Sequence, residues 1–86
     1  MTLWEMKQTD CYATDKPRSY LETYERLLAP LRDQTFTLLE MGIYEGASVR
    51  LWRDYFKHAK IVGVDANLAP ALKTGIDKEP EIELVS

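Results

Sequence analysis

The chain has 86 residues, 45% of them hydrophobic, and a formal net charge of −3. A chain this short makes one small domain that buries only about 60% of its unfolded surface, near the lower limit for a fold without cross-links. Its acids and bases are interspersed, so no basic face points to nucleic acid and no polybasic segment to a membrane surface.

Cys11 is the only cysteine, which excludes an internal disulfide and a cysteine-rich zinc site and fits a reducing compartment. No apolar run approaches the roughly 20 residues of a membrane span, and the N-terminus lacks a basic stretch followed by an apolar one. A cytoplasmic protein with a small-molecule ligand is therefore expected.

Residues 1–17 show no sustained periodicity and read as a flexible arm. Residues 18–34 read as a helix: Tyr20, Tyr24, Leu27, Leu28 and Leu31 form an apolar stripe expected to pack in the core, with Tyr20 as the expected exception. Glu22 and Arg26 are spaced as an i,i+4 pair, and Pro30 should end or kink the helix. Residues 36–86 then read as strand, helix, strand, helix, strand.

The first strand leads through Leu38 and Leu39 into Glu40 and Gly42, and a short loop runs to Gly46. Helical spacing begins near Ala47 or Ser48, where the serine hydroxyl is a candidate cap. Val49, Trp52 and Phe56 share one face, so this helix can cover a sheet, with Trp52 as a packing residue. A strand, a glycine turn and a helix together bring backbone N–H groups to the carboxyl end of a strand, where open parallel sheets bind ligands.

Glycine spacing and charge narrow the ligand. A dinucleotide fingerprint needs a second glycine where Tyr44 stands, and no Gly-Lys-Ser/Thr follows to make a phosphate loop. Glu40 suits an ammonium or sulfonium and repels phosphate. Its alternative role is a hydrogen bond to the neighbouring turn, because a carboxylate ending an apolar strand is costly unless paired. The run KIVGVD, residues 60–65, is a second strand ending in Asp65, roughly 20 residues past the turn, the spacing at which such folds bind ribose hydroxyls. The alternative for Asp65 is an N-cap on a short helix near residues 68–73. His58 lies in the link before this strand with no metal-ligand partners at suitable spacing, so it reads as a solvated residue and no metal site is expected.

The segment ExGxxxG, a helix and IVGVD resemble motifs I and II of class I S-adenosylmethionine-dependent methyltransferases. With TDK at residues 14–16 and YLETYERLLAPLR at residues 20–32, the string is most similar to macrocin-type small-molecule O-methyltransferases that modify sugars of macrolide antibiotics. The resemblance covers residues 14–67 and implies the N-terminal half of a Rossmann-like methyltransferase sheet, with S-adenosylmethionine as cofactor. It implies that Glu40 and the backbone from Gly42 to Gly46 hold the methionine part and that Asp65 takes the ribose hydroxyls. It further implies that Thr14, Asp15, Lys16 and Tyr20 close over the cofactor. Tyr44 and Ala47 stand where relatives often carry glycine.

The last strand is read in EIELV, residues 81–85, and the pattern ends there. In the doubly wound order 3-2-1-4-5-6 the first strand is central, so here it is expected to be a bare apolar edge. A homodimer formed through that strand, or by domain swapping, is the expected partner state. In the family the acceptor and any base lie largely on later strands, so no catalytic residue is assigned. Three readings follow: the front half of an O-methyltransferase acting on a small-molecule acceptor, a non-catalytic binding module, or a self-assembling half-domain with no cofactor.

Overall fold

The structure, a computed structural model, describes residues 1–9, 12 and 16–86. The chain opens with a five-residue helix, α1 (Leu3–Lys7). A capping box starts it: the Thr2 side chain accepts from the Glu5 N–H at 3.1 Å, and the Glu5 carboxylate accepts from the Thr2 N–H at 2.8 Å. Leu3 and Met6 are buried in the core. A packed helix thus stands where a flexible arm was expected, because five residues are too few to display a helical period.

The second helix, α2 (Arg18–Leu28), runs into a 3-10 turn at Ala29–Leu31 containing Pro30, as the proline predicts. Its buried side differs from the expected stripe. Leu21 is fully buried and Tyr24 and Leu28 are partly so, whereas Leu27 is 61% exposed; Tyr20, the expected exception, is 59% exposed. The inward stripe contains Glu25, which a reading based on hydrophobicity places outside. Its carboxylate accepts from the Leu3 N–H at 2.7 Å and from the Tyr55 hydroxyl at 2.7 Å, and these bonds offset the cost of partial burial. On the outer side Glu22 pairs with Arg18 at 2.7 Å rather than with Arg26.

Three strands follow: β1 (Thr35–Met41), β2 (His58–Val64) and β3 (Ile82–Val85). They form a parallel sheet in the order β1-β2-β3. Helix α3 (Ala47–Tyr55) connects the first two, and α4 (Ala69–Leu72) with a 3-10 turn at Ile76–Lys78 connects the second two. Parallel neighbours need such crossovers, which makes this α/β unit compatible with part of a Rossmann-like sheet.

One face of the sheet is covered. Phe36 and Leu38 of β1 and Ala59 and Ile61 of β2 meet the aromatic side of α3, where the Phe36 and Phe56 rings pack edge to face at 4.9 Å. Trp52 is buried there, stacked at a tilt on Phe56 and edge-on to Tyr24, which fulfils its expected packing role. On the opposite face Leu39 is 59% and Met41 75% exposed, so the apolar run of β1 is buried on one side only. Among the described residues no helix is long and apolar enough to cross a membrane.

Candidate binding site at the strand ends

The site grows from the register of β1 and β2. Glu40 lies opposite Gly63 and Met41 opposite Val64, and the Gly42 N–H extends the ladder to the Val64 carbonyl at 2.7 Å. Beyond this point β1 leaves the sheet through a turn in which Gly42, Tyr44 and Gly46 have φ of 77°, 48° and 86°. Left-handed backbone is ordinary for glycine and costly for tyrosine. Gly46 occupies the N-cap position of α3, so the cap residue is a glycine.

Asp65 is the first residue after β2 and secures this turn. One carboxylate oxygen, Oδ2, accepts from the N–H groups of Ile43 at 3.0 Å and Tyr44 at 3.1 Å. The other, Oδ1, accepts from the Asn67 N–H at 3.0 Å. Those amides, Asn67 first, hold the carboxyl below the ordinary range for aspartate. Asp65 is not a helix cap; the Asn67 side chain supplies the local bond instead, accepting from the Ala69 N–H at 3.1 Å.

Glu40 points to the covered side of the sheet, on the same face as Gly63. Its Oε1 receives the indole N–H of Trp52 at 3.4 Å and lies 3.6 Å from the Lys16 ammonium. Its other oxygen, Oε2, is buried and has no hydrogen-bond partner among the described residues. Among the described residues the carboxylate's partners are thus Trp52 and Lys16 rather than the neighbouring turn. A buried carboxylate oxygen lacking a donor carries a desolvation cost that a cationic ligand group relieves.

The residues expected to bind therefore divide. Glu40 and Lys16 are brought together, and Asp65 follows the neighbouring strand with its carboxylate on the turn amides. Gly42 faces open space, whereas Gly46 packs beneath Ile76 of the 3-10 turn before β3. The N–H groups of Gly42, Ile43, Tyr44 and Gly46 are all engaged, the last with the Ile43 carbonyl at 2.8 Å. The turn thus offers fewer donors to a ligand than its glycines imply. Tyr20 is exposed on α2. Thr14 and Asp15 lie outside the described residues. Sequence reasoning missed Trp52 as the donor to Glu40. The available signal was that a buried indole N–H needs an acceptor, and Glu40 is the acid at the end of the strand that Trp52 covers.

These features define a parallel α/β unit with a glycine turn and a partly satisfied carboxylate at the carboxyl end of its first strand. A particular relationship accompanies that class. Across a 54-residue alignment, taking in 55% of this chain, the sequence is 37% identical to 8-demethyl-8-alpha-L-rhamnosyl tetracenomycin-C 2'-O-methyltransferase of Streptomyces olivaceus. The chain is thus related to a methyltransferase over that stretch, and it covers 14% of that enzyme's length. No protein-family model and no solved structure matches it.

Proposed function

We propose that this chain is the S-adenosylmethionine-binding part of a small-molecule O-methyltransferase. The observation that carries the reading is the buried, unpartnered Oε2 of Glu40 at the end of β1. A cationic group beside the glycine turn would relieve the cost of burying that oxygen, and S-adenosylmethionine carries an ammonium and a sulfonium. The relationship to an O-methyltransferase favours this reading over a self-assembling half-domain without a cofactor.

In this reading Glu40 holds the ammonium of the methionine part, and Lys16 closes beside it. Asp65 does two jobs: it fixes the turn through the amides of Ile43 and Tyr44, and it shares its carboxylate with a ribose hydroxyl. When bound, the cofactor supplies an activated methyl group on sulfur. The described residues contribute by orienting that donor, which is a large part of catalysis by positioning. The acceptor class is a sugar hydroxyl, by analogy with the rhamnosyl 2'-oxygen in the relative's name.

Titration calorimetry with S-adenosylmethionine tests the reading. Saturable binding is expected, weakened about tenfold or more in Glu40→Gln, as for loss of a charge-assisted hydrogen bond. Absence of binding by the folded wild-type chain would overturn it.

A further inference from the structure

We infer that Trp52 is a positioning residue for the cofactor site, acting through Glu40 to discriminate in favour of ligands that carry an ammonium. This rests on the function proposed above and assigns a specificity role to a residue that touches no ligand. Trp52 is 4% exposed, and its ring is held on two sides, edge-on by Tyr24 at 5.6 Å and at a tilt by Phe56 at 6.0 Å. Its indole N–H therefore points in a direction set by core packing, toward Glu40 Oε1 at 3.4 Å.

The two oxygens of Glu40 are unequal as a result. Oε1 has both the indole N–H and the Lys16 ammonium, while Oε2 is buried with no partner among the described residues. An aliphatic carboxylate turns readily about its last bond. A donor held in a packed core lowers that freedom and fixes which oxygen, Oε2, lacks a partner among the described residues before any ligand arrives. Preorganisation of this kind raises affinity by removing an ordering cost. Trp52 is also a neutral donor, so it orients the carboxylate without cancelling the charge that an incoming ammonium needs. Lys16, on the same oxygen, does cancel part of that charge, and the division of labour falls to the indole.

The test compares ligands that share a nucleoside: S-adenosylmethionine, and 5'-methylthioadenosine, which lacks both the amino acid end and the sulfonium charge; S-adenosylhomocysteine, which keeps the ammonium on a neutral thioether, should follow S-adenosylmethionine. Trp52→Phe keeps an aromatic ring in the core and removes only the donor. The variant is expected to bind S-adenosylmethionine about fivefold or more weakly, as for a lost hydrogen bond to a charged group, and 5'-methylthioadenosine within about twofold of wild type. In a Glu40→Gln background, Trp52→Phe should add no further loss, because the two residues act as one unit. Replacing Trp52 by 3-benzothienylalanine, an isostere with sulfur in place of the N–H, gives the same ratio if the phenylalanine variant does not fold. Equal weakening of S-adenosylmethionine and 5'-methylthioadenosine would show a purely structural role and overturn the inference, as would an unchanged ratio with binding intact. Failure of the wild-type chain to bind S-adenosylmethionine overturns the proposed function itself, an outcome distinct from the other two.

Discussion

A Cβ on Gly46 would lie 2.7 Å from the Cδ1 of Ile76, closer than real atoms approach. The turn after β1 and the segment before β3 are thus fitted to each other through a missing side chain.

Gly46→Ala should destabilise the fold by about 2 to 3 kcal/mol, combining left-handed backbone strain with displacement of Ile76. Gly42 has a similar φ of 77° but meets nothing within 4 Å, so Gly42→Ala should cost only about 1 kcal/mol. Urea melts of the two variants check this, and equal losses would show that the contact with Ile76 contributes nothing.

Asp65 makes stability depend on pH at the acid end. Its folded pKa is depressed by backbone N–H groups, so its contribution is present above the unfolded value of about 4 and is lost as pH falls through the folded value. Thermal melts of wild type and Asp65→Asn should differ at neutral pH and converge in acid. Parallel curves down to the lowest measurable pH would remove Asp65 from the turn.

Tyr55 acts at the other extreme. Burial first, then its bond to Glu25, pushes the phenol well above its ordinary range. The unfolded phenol ionises above about pH 10 while the folded one stays protonated, so stability falls as pH rises past that point. Tyr55→Phe should abolish this alkaline loss. It should also cost about 1 to 3 kcal/mol at neutral pH by leaving the Glu25 Oε2 without its donor.

The proposed homodimer concerns the other side of β1. Among the described residues this strand is an edge of the sheet, and it exposes Leu39 and Met41 on the uncovered face. Unprotected apolar edges pair with further strands. Sedimentation should show a dimer at micromolar concentration for the wild type and a monomer for Leu39→Lys. A wild-type monomer at that concentration would count against the dimer.

The order of strands and helices was legible because hydrophobic periodicity is a local property. The run into Glu40, the glycine turn, the amphipathic α3 and the alternation of β3 each declare themselves within a dozen residues, and Pro30 marked the end of α2 by removing a donor. Shorter or charged signals were harder to read: α1 has too few residues to show a period, and Glu25 in the buried stripe of α2 looked like a surface residue. Its two partners, Leu3 and Tyr55, lie 22 and 30 residues away.

At the candidate site the same division holds. The sequence by itself determined that two acids end adjacent strands, since strand period and turn spacing put them there. Only the tertiary structure decided what each carboxylate does: Asp65 holds the turn amides, while Glu40 is gripped on one oxygen by Lys16 and Trp52 and buries the other without a partner among the described residues. Hydrogen bonds depend on direction and distance between groups that chain order does not bring together, so their partners emerge only once the sheet and its covering helix have packed.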